Sequence, residues 1–531
     1  SFLVSGTVSG NQSQQYTVGD ESYTTDGNEV TFRIDQGSIS FAVGDTFSFT
    51  TTAGTVVAET VTLTETGADT GIFEGSIPLV ETATPVGSNG NLEVSSGDVI
   101  TAFYDDAVGD WGDPVQVRST SLYSATVIGG STILADTVWT AANSPYLITG
   151  DVTVSSGVTL TILEGVQVLF LANSDDLVSG DEPYDSELII NGTLNVAGSV
   201  SSGVVFTSSN REPSTGEWGG IRVNDGSASF SYATIEYSAY GVYAYQLGSN
   251  DSLTVANSVI QQNGNYGLRA EGYSSGGAIS VTDSQIINNK GYGIYGYYDY
   301  GSWIIAGNSI TGNAGAGLYL QNSYDVVISN STISGNSGGT YVGTVRYDFE
   351  FSGNALDNND GWALNYSNGY SSGDSWSTDS ILISGNVITN TTDNNSWKGG
   401  IYVYDNGAAD AVVTNNSVSG GNDGIYIDNN ETNVQPLVSN NTVTNVEYYG
   451  LYIRGKVVPT LTGNILDGNG YGLYVEYTDP GYILFKNLQA EILSYRHRYA
   501  SEPKIIFLQN HGIFVGASHV SEIKDLYSAV E

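Results

Sequence analysis

The chain has 531 residues, too many for one ordinary domain, with 40% apolar and 11% aromatic side chains available for cores. Its 56 acidic residues against 15 basic ones give a formal charge of −41, which leaves no basic footprint for nucleic acid or anionic lipid. Cys is absent, which excludes disulfides and thiolate chemistry, and no run of about 18 consecutive apolar residues predicts a membrane span.

The sequence starts on Ser1-Phe2-Leu3-Val4, lacks a charged stretch followed by an apolar one, and contains no Met. This is the expectation for an exported protein whose signal peptide has been removed. Residues 1–120 read as a β-sandwich, with alternation in Val30-Thr31-Phe32-Arg33-Ile34, Thr46-Phe47-Ser48-Phe49 and Val61-Thr62-Leu63. The apolar strand Phe2-Leu3-Val4 is a candidate for self-association by addition to a neighbour's sheet edge. Glu65-Thr66-Gly67-Ala68-Asp69-Thr70-Gly71-Ile72-Phe73, with Ser96-Gly97-Asp98-Val99-Ile100 through Tyr104, resembles immunoglobulin-like modules of large prokaryotic surface proteins. At the end of this unit Asp105, Asp106, Asp110 and Asp113 concentrate hard oxygen ligands in a glycine-bearing loop and are candidate calcium ligands.

Residues 121–145 read as a connector, and residues 146–480 as a right-handed parallel β-helix. Val152-Thr153-Val154, Val158-Thr159-Leu160-Thr161-Ile162 and Leu188-Ile189-Ile190 are short strands between turn residues. The stretch through Trp218-Gly219-Gly220-Ile221 is similar to the opening coils of bacterial parallel β-helix proteins. Asp175, Asp176, Asp181 and Asp185 form a second acidic loop here and are also candidate calcium ligands.

A repeat then sets in. Glycine followed by an apolar or aromatic strand recurs at Gly220, Gly241, Gly267, Gly293, Gly317, Gly339, Gly361, Gly400, Gly424, Gly450 and Gly472. The intervals are 21, 26, 26, 24, 22, 22, 39, 24, 26 and 22, so a loop is inserted between Gly361 and Gly400. A fixed period of this size means a stacked solenoid. Each repeat carries an Asn- or Asp-led strand (Asn257, Asp283, Asn308, Asn330, Asn416, Asn441, Asn464) and then a second Asn (Asn263, Asn289, Asn313, Asn336, Asn422, Asn445, Asn469). Asn tolerates the left-handed region at corners, and stacked Asn side chains can bond from coil to coil. The repeat glycine is expected to supply positive φ where the chain turns. Many of the 37 tyrosines follow that glycine, among them Tyr295, Tyr319, Tyr426, Tyr452 and Tyr474. Core packing is the expected role for most, and outward ones would bind sugars or another subunit.

After Pro480 the pattern stops. Residues 481–531 balance Lys486, Arg496, Arg498, Lys504 and Lys524 against Glu491, Glu502, Glu522, Asp525 and Glu531, so the first 480 residues hold the whole −41. Pro503-Lys504-Ile505-Ile506-Phe507-Leu508-Gln509-Asn510-His511-Gly512-Ile513-Phe514-Val515-Gly516 resembles the strand–Asn-His-Gly–strand segment of class II aldolases, where His511 would match a zinc ligand. The family's other two His have no counterpart, and one His cannot hold a catalytic zinc. The tail reads as a cap, a fusion or an artefact.

The sequence therefore predicts an all-β chain: an N-terminal β-sandwich, a right-handed parallel β-helix solenoid and a short atypical tail. Within 146–480 the basic residues Arg211, Arg222, Arg269, Lys290, Arg346, Lys398, Arg454 and Lys456 are scattered, without the cationic groove that lyases of uronic-acid polymers need. Arg269 and Lys290 are the pair placed to lie on adjacent coils. The expectation is a secreted or cell-surface structural protein, a self-associating subunit of a filament, sheath or surface layer, or an adhesin. Its partners would be itself, other surface proteins or glycans. Calcium is the one cofactor expected. The alternative is a polysaccharide-binding or polysaccharide-cleaving β-helix protein.

Overall fold

The computed structural model describes residues 125–475, apart from 211–212, 273–275, 299, 371–377, 390–398 and 432–433, together with separate strands before and short pieces after that range. The chain divides into two units, Ser1–Glu93 and Val94–Glu531. In the first, Phe2–Gly6 pairs antiparallel with Gly10–Tyr16, Tyr23–Thr24 with Thr31–Phe32, and Thr64–Glu65 with Phe73–Glu74. These are separate two-stranded ladders, and the described residues do not join them into the expected sandwich. The alternating run at Thr46–Phe49 lies outside the described residues.

In the second unit Val99–Asp106 pairs antiparallel with Val115–Leu122. Parallel stacking then begins at Thr126, inside the segment expected to be a connector. Three sheets run the length of the stack. The first has 14 strands, from Thr126–Ile128 to Ile465–Asp467; the second has 14, from Ser131–Ile133 to Tyr471–Val475; the third has 13, from Thr137–Trp139 to Thr460–Thr462. Successive strands of a sheet come from successive coils, so every neighbour is parallel and in register. The insertion expected between Gly361 and Gly400 is two longer connections, between Leu364–Asn368 and Ser380–Ser384 and between Val387–Thr389 and Gly399–Asp405. Beyond the stack, Ile505–Leu508 pairs antiparallel with Gly512–Val515, flanking Asn510 and His511.

Alternation drives the coil inward. In the first sheet Ile235, Ile260, Ile286, Ile310, Ile333, Leu356, Ile388, Val418 and Val443 stack in one row, all buried. Each such side chain withdrawn from water stabilises the fold by about 1.5–3 kcal/mol. Aromatics fill the wider parts: Phe170 stacks on Trp218 at 3.8 Å and Phe349 on Tyr366 at 4.6 Å.

The corners carry the asparagines, as the sequence predicts. One buried ladder runs Asn263, Asn289, Asn313, Asn336, Asn359, each Nδ2 donating to the next Oδ1 at 2.9–3.0 Å. A second runs Asn354, Asn386, Asn416, Asn441, Asn464 at 2.8–3.1 Å. Each Oδ1 also accepts a backbone N–H from the preceding coil, as Asn313 does from Asn289 at 3.1 Å. Asn257, Asp283, Asn330 and Asn445 are not rungs; they hold positive φ of 50°, 48°, 50° and 56° at the bends.

Gly220 holds the expected positive φ, at +130°, but most of the repeat glycines have a different cause. Gly241, Gly267, Gly293, Gly317, Gly339, Gly400, Gly424 and Gly450 do not have positive φ. They are small because nothing larger fits. A Cβ at Gly293 would lie 2.6 Å from the Gly317 carbonyl oxygen, 2.8 Å from Ile310 Cγ2 and 3.0 Å from Asn313 Nδ2. Gly361 is a turn residue with φ +86°, and Ala363 takes the repeat position in its coil.

Candidate functional site

The strands after the repeat glycine form the second sheet. Their residue two places beyond that glycine lies between two buried neighbours, as Tyr243 lies between Val242 and Ala244, and therefore points outward. Register aligns these positions in one row: Arg222, Tyr243, Arg269, Tyr295, Tyr319, Tyr341, Asn365, Tyr402, Tyr426 and Tyr452. The tyrosines expected mostly in the core thus form an outer rail, with Asn365 its single gap between Tyr295 and Tyr452. Rings stack along it, Tyr295 on Tyr319 at 5.1 Å, Tyr319 on Tyr341 at 4.8 Å and Tyr426 on Tyr452 at 4.4 Å. Tyr240, Tyr266 and Tyr292 make a second, parallel row, with centroids 6.0 and 5.7 Å apart.

At its N-terminal end the rail runs into a cleft of about 240 Å³, lined by Asp181, Glu187, Arg222, Tyr240, Tyr243 and Arg269 among others. Two arginines converge here, although the sequence reading found only scattered cations. Both guanidinium groups sit over the Tyr243 ring, Arg222 at 5.1 Å and Arg269 at 4.6 Å from its centroid. Each is also held by an acid: Arg222 pairs with Asp181, and Arg269 Nε donates to Glu271 Oε2 at 2.7 Å. Lys290 lies on the coil adjacent to Arg269, as the spacing allows, but in an exposed turn, and the residue in register with Arg269 is Tyr295.

Glu187 is buried at the floor of this end. Its Oε2 accepts the Asp181 N–H at 2.7 Å, and its own N–H donates to Asp151 Oδ1 at 2.9 Å. Burial, aided by the negative charge of Asp151, pushes its carboxyl up to about 8. Burial likewise raises Asp151, Glu182 and Asp185, and lowers Arg222. The rail phenols of Tyr243, Tyr295, Tyr319 and Tyr402 are pushed up to about 12, chiefly by burial.

The candidate calcium ligands of the early-coil loop are each engaged by neighbouring groups. Asp175 accepts the backbone N–H groups of Leu177 and Ser179 at 3.0 and 2.7 Å. Asp176 accepts from Gly130 N and from Thr149 Oγ1 at 3.0 and 3.1 Å. Asp181 belongs to Arg222, and Asp185 begins the turn into the Glu187 strand. Asp105 and Asp106 end the strand Val99–Asp106, and Asp110 and Asp113 lie outside the described residues. Among the described residues no group of three or more His, Asp or Glu is arranged to hold a metal. Phe2, Leu3 and Val4 lie in the strand Phe2–Gly6, already paired in-chain with Gly10–Tyr16.

The family described as "right handed beta helix region" matches residues 219–375 and 367–488, half of the sequence. The chain belongs to the right-handed β-helix family. A "pectate-lyase like beta helix domain" matches residues 131–251 of this β-helix protein, the coils that carry the cleft. Solved structures of the periplasmic alginate epimerase AlgG are similar to the β-helix protein at low identity. Two point mutants give 12% and 10% identity with TM-scores of 0.28 and 0.27, covering 63% and 67% of this chain and 75% and 82% of theirs. The unmutated epimerase gives 14% identity and a TM-score of 0.21, covering 63% and 74%. A search of curated protein sequences found no match. None of these relatives is an immunoglobulin-like protein or an aldolase. Among the described residues no helix is long and apolar enough to cross a membrane.

Proposed function

We propose that this β-helix protein binds an extended polysaccharide along the outer face of its second sheet. The observation that carries the reading is the rail: identical aromatic positions repeat at the coil rise of about 4.8 Å, presenting one kind of contact over and over to a linear polymer. The pectate-lyase-like match over the cleft supports the same reading. The case against a polysaccharide site leaned on scattered cations, and Arg222 with Arg269 over one ring brings two of them together at the cleft. Export, expected from the sequence, suits a polymer ligand too large to enter a cell. The test is co-sedimentation and calorimetry of the full chain against a panel of polysaccharides. Binding should weaken by roughly tenfold or more in Tyr319→Ala/Tyr341→Ala with circular dichroism unchanged; a panel without a single ligand overturns the reading.

Cleavage at the cleft is a second reading, favoured by Glu187. A carboxyl that stays protonated near neutrality beside a polymer track is suited to donate a proton to a leaving oxygen. Glu187→Gln should then abolish chain shortening of a bound polysaccharide and leave its binding intact. Equal activity in the variant removes Glu187 from that role.

A further inference from the structure

The proposed polysaccharide site also carries information about the charge of its ligand. A polyanion needs cations with free donors, and the described face offers arginines that acids already hold. Arg222 is paired with Asp181, Arg269 with Glu271, and Arg454 lies 3.9 Å from Asp428. Asp423 and Asp428 lie on the same sheet, and the whole chain carries −41. A carboxylated polymer approaching this face meets arginines whose charge is already matched, on a chain whose net charge opposes it.

The tyrosines point the same way. Where the rings stack, as Tyr295, Tyr319 and Tyr341 do and Tyr426 and Tyr452 do, at 4.4–5.1 Å, their faces are used against one another and are not open to each sugar. What remains outward is ring edge and phenolic hydroxyl. With the rail phenols pushed up to about 12, the hydroxyls stay protonated at any physiological pH and both donate and accept. Tyr319 shows the mode in-chain, its hydroxyl donating to Gln321 Oε1 at 2.7 Å. A line of neutral donor–acceptor groups matches a line of sugar hydroxyls.

We infer that the rail selects an uncharged, hydroxyl-rich polysaccharide and rejects uronic-acid polymers, the selection being made by phenol hydroxyls and not by the arginines. This rests on the polysaccharide-binding reading above. The test is affinity electrophoresis and calorimetry of the full chain with neutral polymers (β-glucan, xylan, galactomannan) and polyanionic ones (polygalacturonate, alginate), each at low and high salt. A neutral polymer should bind with little change on adding salt. Tyr295→Phe/Tyr341→Phe keeps the ring stack and removes two hydroxyls, and should weaken that binding by roughly tenfold. Preference for a polyanion, with affinity falling as salt rises, overturns the inference and leaves the polysaccharide reading standing. Neutral binding unchanged in the Phe variant overturns the hydroxyl rail. If no polymer of either class binds, both readings fail together.

Discussion

Glu187 shows how a single side chain ties this fold to pH. Its carboxyl is buried and lies beside Asp151, so the folded protein favours the protonated form up to about pH 8, far above the ordinary value of 4.5. The sign follows from linkage: the contribution is fully present below 4.5 and is lost as pH rises through about 8. Asp405, buried in the later coils, is pushed up to about 7 by burial and loses its contribution in the lower part of the same window. The melting temperature should therefore fall from mildly acidic pH toward pH 8, and Glu187→Gln should flatten the upper part of that fall. A variant with the parent's pH profile would show that Glu187 ionises freely in the folded chain. Nothing in the sequence marks Glu187, because its burial depends on Asp151, a coil earlier, and on the loop that carries Asp181.

At the scale of the element, the coil was legible and its orientation was not. Period and Asn spacing locate the solenoid and its corner ladders, since both follow from local chain geometry. Which way a tyrosine points depends on the phase of alternation relative to the repeat glycine, and assigning that glycine to a bend put the phase out. Positive φ falls instead on residues such as Asn257, Asn288 and Gly312. Arg222 and Arg269 meet because both lie two places after a repeat glycine, a signal present in the sequence; uneven intervals of 21 and 26 hide it from a fixed-spacing search. The first coil escaped notice for another reason: its strands are three residues long and leave Val127, Leu134 and Val138 exposed. The close approach at the glycine row gives a direct test. Gly293→Ala places a methyl against a backbone carbonyl that cannot rotate away, and should destabilise the β-helix by about 1–3 kcal/mol in denaturant unfolding. Gly335→Ala, where a Cβ meets open space but φ is +62°, should cost about 1 kcal/mol through strain alone. Equal costs at both sites would mean that packing is not what selects glycine in that row.

For the whole molecule, charge is the dominant global term. With −41 on the chain, self-repulsion works against the compact state and added salt should screen it. The melting temperature is therefore expected to rise with salt at neutral pH, and a flat or falling dependence would show that the acids are locally compensated. The two ends of the chain were the least legible parts, because neither the ladders of residues 1–93 nor the hairpin at 505–515 shares the repeat that organises the rest. The coil-to-coil identity of the tyrosine rail has one more consequence. On the polysaccharide reading, a polymer moved by one coil within Tyr295–Tyr341 or Tyr402–Tyr452 finds the same kind of contact again, so binding there has several equivalent registers separated by low barriers. Such a surface gains affinity from the number of ways it can be occupied. It would also let a bound chain diffuse along the axis toward the cleft without letting go.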